Sequence, residues 1–221
     1  MQRFFPIVVF IFLTACSNDQ EKIEDLDFEE SLNTLSEDIL GPVWEVKSDN
    51  EFFEIEIPTQ MKERDNLNPD AKLQYSFLEK TDSAVHEHFV IVVVEPYPDN
   101  DDSSDDIDVA GYTDAYIDSL MKGRAFEVLN EPTIEAINNT EATIHELSSF
   151  ILGPDEQEIG IFYMLGVYKG SEGLYQVLTW TLTNQKDLFY GDMKHMLHSF
   201  KEIDSKLAEV HDEEDHAGHN H

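Results

Sequence analysis

Histidines and carboxylates are densest at the C-terminus, where the chain reads His211-Asp212-Glu213-Glu214-Asp215-His216-Ala217-Gly218-His219-Asn220-His221. Four of the nine histidines lie in this stretch. Neutral imidazole suits Zn, Cu and Ni, and carboxylates add negative charge around a divalent ion. His211, Asp212, Asp215, His216, His219 and His221 are therefore the candidate metal ligands. Gly218 and the polarity around it predict a disordered segment, which a metal would have to order at a cost in free energy. The plainer alternative is a solvated tail that holds nothing, because a histidine-rich tract is compositional evidence alone. Two more histidine pairs have suggestive spacing. His86 and His88 are two apart on a predicted strand and share a face. His195 and His198 are three apart on a predicted helix and can meet. Neither pair has a third ligand visible in the sequence.

Other chemistries fail on their residue patterns. The acidic run from Asp99 to Asp108 invites calcium, but its sixth position is Ser104 rather than Gly and its twelfth is Ala110 rather than Glu. A solvated loop is the simpler reading. No G-x-S-x-G elbow, H-E-x-x-H pair or phosphate-cradling glycine loop occurs. With 47 acidic residues, a pair of carboxylates carries no information about glycoside chemistry. Trp180, Tyr163, Tyr168 and Tyr175 fall in predicted strands, where core packing explains them better than a sugar platform. No catalytic residue is assigned and the chain reads as no enzyme, with a hydrolase acting in the envelope left as a third reading.

The remaining reactive group is Cys16, the only cysteine of the chain. One cysteine allows no internal disulfide and no thiolate cluster. It closes the stretch MQRFFPIVVFIFLTAC, in which Arg3 precedes an apolar run from Phe4 to Leu13. A cationic tip, a short apolar segment and small residues are the pattern of a removed export signal. The run is too short for a membrane span, which takes about 20 apolar residues, and Pro6 interrupts it. Leu13-Thr14-Ala15-Cys16 resembles the bacterial lipoprotein signal. That resemblance implies diacylglycerol on the Cys16 sulfur, cleavage before Cys16 and an acyl chain such as palmitate on the new N-terminus. Ser17 is not the Asp associated with inner-membrane retention, so the outer membrane is favoured, with the periplasmic or surface side left open.

Charge narrows the partners. The 221 residues hold 47 Asp and Glu against 14 Lys and Arg, a net charge of −33. Such a field repels phosphate backbones and excludes nucleic acid. It disfavours docking on anionic headgroups, so the lipid carries the attachment. A protein partner in the envelope is expected to present a basic surface.

The elements divide the chain into a signal peptide (1–15), a lipidated Cys and acidic tether (16–42), an α/β domain (43–207) and a disordered His/Asp-rich tail (208–221). The self-repelling tether spans about 30 Å or more. In the domain, Val43 to Lys47 and Phe52 to Ile57 alternate with period two and predict a hairpin. Lys72 to Leu78 and Val85 to Glu95 predict a second hairpin around Thr81-Asp82-Ser83. Phe89 to Val94 is apolar on both faces and predicts a central, doubly covered strand. A helix follows over 112–122. Four strands come next, over 128–137, 142–152, 159–169 and 174–183, forming an antiparallel meander. A long helix is expected over 185–207, with Phe189, Met193, Leu197, Phe200, Ile203 and Leu207 on its apolar stripe. This order argues an α+β fold with an antiparallel sheet of six or more strands flanked by helices.

The FFEIEIP start, the hairpin, the helix, the meander containing GSEGLYQVLTWTL and the ending HSFKEI resemble PsbP/DcrB-type domains over about residues 43–204. The resemblance implies a PsbP-like α/β/α sandwich and a non-enzymatic binding or assembly role; apart from a metal at the tail, no cofactor is expected. It carries over no site residue. The leading expectation is thus a lipid-anchored cell-envelope protein with a binding or assembly domain. The alternative is a metal-binding or metal-delivery lipoprotein that uses Zn, Cu or Ni at its tail.

Overall fold

Alternating apolar positions fold into two sheets rather than one. The computed structural model describes residues 41–49, 52–82, 84–97, 107–121, 126–153, 156–171 and 173–203. In chain order the first strands are β1 (Trp44–Asp49), β2 (Phe53–Pro58), β3 (Lys62–Glu63), β4 (Ala71–Lys80) and β5 (Val85–Pro96). Helix α1 (Val109–Met121) precedes β6 (Glu127–Val128), β7 (Thr133–Ile137), β8 (Thr140–Leu152), β9 (Glu158–Lys169) and β10 (Gly173–Leu182). A 3-10 turn (Thr183–Gln185) then leads into α2 (Lys186–Ser199) and β11 (Lys201–Glu202).

The large sheet has eight strands, ordered β3-β4-β5-β10-β9-β8-β6, with β7 also paired to β8. The small sheet is ordered β1-β2-β11. Every pairing is antiparallel. The sequence pattern explains the layering. On β5, Val90 and Val92 enter one core, together with Phe53, Ile55 and Ile57 of β2 and Phe189, Met193, Met196 and Leu197 of α2. Ile91 and Val93 enter the other core, with Val109 and Ile117 of α1 and Leu165, Leu178 and Trp180 of the sheet. The large sheet is therefore covered on one face by α1 and on the other by α2 and the small sheet. The predicted sandwich, both hairpins, the doubly covered strand and the meander are all present. The turn at Asn138-Asn139 uses two left-handed residues (φ 48° and 69°), as a tight hairpin demands.

Two predicted elements differ. The strand expected over 128–137 is two short strands, β6 and β7, separated at residues 129–132. Pro132 has no N–H for a ladder. Across the gap the Asn130 side chain replaces the missing backbone: Oδ1 accepts from Glu146 N at 2.6 Å, and Nδ2 donates to Ile144 O at 3.4 Å. The helix expected to reach Leu207 stops at Ser199. Phe200 leaves helical geometry (φ −53°, ψ 134°) and is fully buried. Its ring stacks on Tyr168, 4.2 Å between centroids. Asn138 Nδ2 donates to His198 O and Phe200 O at 3.2 and 2.8 Å, satisfying carbonyls that the helix end leaves without partners. Lys201 and Glu202 then pair with β2, and Ile203 N donates to Phe52 O at 2.9 Å. Ile203 thus follows a strand rather than extending a helical stripe. The signal peptide, residues 16–40 of the tether, most of the acidic run (99–106), Leu207 and the tail lie outside the described residues.

Candidate functional site

The candidate site is a groove between the small sheet and the C-terminal half of α2. Strand alternation builds one wall: Phe53, Ile55 and Ile57 point to the core, so Glu54 and Glu56 face outward. Val46 of β1 pairs with Glu56 in register and stays 56% exposed, as several other apolar side chains of the surface do. The helix builds the other wall with His195, His198 and Ser199. Asn138 and Lys201 complete a groove of about 360 Å³.

The groove is held by specific pairs. The His195 ring stacks on Trp44 with centroids 3.9 Å apart, and its Nε2 meets the Glu56 carboxylate. Ser199 Oγ accepts from Glu56 N at 3.0 Å and donates to Met196 O at 2.8 Å. Its hydroxyl proton is therefore committed to the helix backbone, and Ser199 is not set up as a nucleophile. Lys201 Nζ lies 3.6 Å from Glu54. His198 Nδ1 donates to Lys194 O at 2.8 Å, and its Nε2 lies 3.6 Å from Glu135 Oε1 on β7. Asp192, one turn before His195, has its pKa pushed up to about 6 by burial, against the opposing pull of His195.

No family model matches the chain, and no curated protein matches it. Solved structures do. The cyanobacterial PsbP (CyanoP) of Synechocystis superposes with a TM-score of 0.52 at 14% identity, covering 72% of this chain and 92% of that one. The fold is PsbP-like. The Ran-binding protein Mog1p of Saccharomyces cerevisiae gives a TM-score of 0.48 at 11% identity, over 76% of this chain and 99% of its own. LpqN of Mycobacterium tuberculosis, involved in cell envelope biogenesis, gives 0.46 at 6% identity, over 81% and 98%.

Within this PsbP-like sandwich the histidine pairs have different fates. His88 is a core residue. Its Nε2 sits 2.8 Å from Thr179 Oγ1, and its ring lies 4.9 Å from that of Phe189. The Thr179 hydroxyl donates to Phe89 O at 2.8 Å, so Nε2 of His88 must carry the hydrogen. Burial lowers its pKa to about 3. His86, its predicted partner, has a buried Nδ1 with no hydrogen-bonding partner among the described residues. His195 and His198 do come together in the groove, but each has its own carboxylate. Among the described residues, no group of three or more His, Cys, Asp or Glu is placed to hold a metal ion. The four aromatics read as core are buried: Trp180 stacks on Phe89 at 5.1 Å, and Tyr168 donates to Leu197 O at 2.6 Å.

Sequence reasoning missed Glu56, Glu135, Trp44 and Lys201, because their partners lie far away along the chain and no local spacing announces them. It also missed His145 on β8, which is buried with neither ring nitrogen paired among the described residues. Desolvation lowers its pKa, opposed by Asp114 of α1. The proposed lipid site Cys16 and the tail ligands His211, Asp212, Asp215, His216, His219 and His221 lie outside the described residues. Among the described residues no helix is long and apolar enough to cross a membrane.

Proposed function

We propose that this protein is a lipid-anchored component of the cell envelope whose PsbP-like domain is a non-enzymatic binding or assembly module. The observation that carries the reading is the pairing of the Leu13-Thr14-Ala15-Cys16 signal with a sandwich packed on both faces. Lipid on Cys16 supplies the membrane attachment, at the outer membrane by the residue that follows it. The tether lets the domain reach a neighbour. That neighbour is a protein with a basic surface, in keeping with the −33 net charge. Val46 in the groove is an exposed apolar side chain on the outer face of the small sheet and so a position from which a bound neighbour can be trapped. A photoactivatable residue in place of Val46 tests this in intact cells. Illumination should give one adduct of defined mass, lost when Cys16→Ser releases the domain from the envelope. Absence of any adduct, or an unchanged pattern in the Cys16→Ser chain, contradicts the reading.

A second reading keeps the anchor and makes the protein a metal-binding or metal-delivery lipoprotein, with Zn, Cu or Ni held by His211, Asp212, Asp215, His216, His219 and His221. The composition of the tail favours it. Calorimetric titration of the full chain with Zn²⁺ tests it. Tight binding that is lost when the four tail histidines become alanine supports it, and absence of heat removes it.

A further inference from the structure

Strand β1 ends the small sheet, ordered β1-β2-β11, so its outer side has no neighbouring strand among the described residues. The register says which backbone groups face that side. Thr59 N donates to Val43 O at 2.8 Å, and Trp44 stands opposite Pro58, which has no N–H. Bonded and non-bonded pairs alternate in an antiparallel ladder. Glu45 and Lys47 therefore turn their N–H and C=O groups to β2, while Trp44, Val46 and Ser48 turn theirs outward. Glu56, opposite Val46, agrees: its N–H points away from β1 and goes to Ser199 Oγ at 3.0 Å. A row of outward donors and acceptors that no described strand answers is a template for another strand.

The side chains say which strand fits. Charged residues usually keep other strands off an edge, but here their order makes the edge complementary to itself. Lys47 and Glu45 lie on one face, with Nζ 2.7 Å from Oε2. Two copies of β1 laid antiparallel and centred on Val46 set Glu45 of each against Lys47 of the other. Those are non-bonded pairs, in which side chains approach most closely. Val46, 56% exposed, meets Val46 of the second copy. The outward groups of Trp44, Val46 and Ser48 form about six hydrogen bonds in the same register. Sliding the centre to Glu45 sets Glu45 against Glu45, and sliding it to Lys47 sets Lys47 against Lys47 and Glu45 against Asp49, so like charges reject both. We propose that β1 is a dimerisation edge at which a second copy of this chain pairs antiparallel about Val46, joining the small sheets in the order β11-β2-β1-β1-β2-β11. Trp44 to Ser48 carries one acid and one base, so the edge itself is neutral. Repulsion between the remaining acidic surfaces is screened beyond about 8 Å at physiological salt. One strand buries less than a stable complex needs, so the dimer is concentration-dependent. The contact is separate from the basic neighbour proposed above. In the Val46 cross-linking experiment a second copy is recognised by an adduct of twice the chain's mass.

The test is sedimentation equilibrium of the full chain in density-matched detergent over a range of concentrations. The wild-type chain should pass from monomer to dimer. Glu45→Lys and Lys47→Glu each set like charges against one another at two places, and each should weaken the dimer about 10-fold or more. Mixing the two variant chains restores opposite charges at both places, so the mixture should dimerise like the wild-type chain. A wild-type chain that stays monomeric at every concentration overturns the proposal, as do variants that dimerise alone as well as they do together. Should a variant fail to fold, amide hydrogen exchange of the wild-type chain decides. Protection of the Val46 amide must rise with concentration, while the Lys47 amide, bonded to β2, stays protected throughout. Val46 protection that does not depend on concentration overturns the proposal.

Discussion

Acidification should destabilise the domain through His88, and the magnitude follows from its surroundings. The ring is 1% exposed, donates to Thr179 Oγ1 and packs on Phe189. Its folded pKa is about 3, against 6.5 for the free side chain, because burial penalises the imidazolium. The folded-state pKa is depressed, so the unfolded state takes up the proton first. Stability is therefore full above pH 6.5 and falls as pH drops from 6.5 towards 3. At pH 5 the loss is about 1.4 kcal/mol for each of 1.5 pH units, or about 2 kcal/mol. That is a sizeable part of the roughly 5–15 kcal/mol that holds a domain together. Urea unfolding at pH 7 and pH 5, on the wild-type chain and His88→Gln, isolates the effect. Glutamine can still donate to Thr179 Oγ1 but does not titrate. Other groups, including His145, contribute equally to both chains and cancel. The wild-type chain should lose about 2 kcal/mol more than the variant between the two pH values. Identical losses would show that His88 does not carry the acid sensitivity.

Further outcomes follow from other contacts. Phe200→Ala leaves a void against Tyr168, Phe53 and Tyr175; it should cost about 3–5 kcal/mol by urea unfolding and free β11 from the small sheet. Asn130→Ala removes the side chain that ties the gap between β6 and β7 to β8, costing about 1–2 kcal/mol and accelerating hydrogen exchange at the amide of Glu146. Asp192 is held at about 6 by burial, above its ordinary 3.8, so its folded-state pKa is raised. Its ionised form is a liability at neutral pH. Asp192→Asn should raise stability at pH 7 by about 1 kcal/mol once solvent screening is allowed for, with the gain fading as pH falls from 6 to 4.

Local patterning made most of the fold legible. The alternation in Phe53-Glu54-Ile55-Glu56-Ile57 marks an outward acidic face, and the unbroken apolar run Val90-Ile91-Val92-Val93 marks a strand between two cores. What was hidden lay in tertiary competition. No glycine or proline stands at Phe200 to end α2 there; burial of its ring does so, with Asn138, 62 residues away, accepting the role of cap. Nor does the sequence announce that β1 and β2 leave the main sheet, because a strand shows its period and not its neighbours. The groove was half legible. The spacing of His195 and His198 put them on one helix face. Their carboxylate partners, Glu56 and Glu135, come from β2 and β7 and have no local signature.

The proposed function places a lipid on Cys16 and, through it, the PsbP-like domain at the envelope. Its most direct test is the intact mass of the protein extracted from its native membranes. The mature chain should begin at Cys16 and carry the added mass of a thioether-linked diacylglycerol and an acyl group. A chain that begins elsewhere without lipid, or one whose membrane association survives Cys16→Ser, would contradict it.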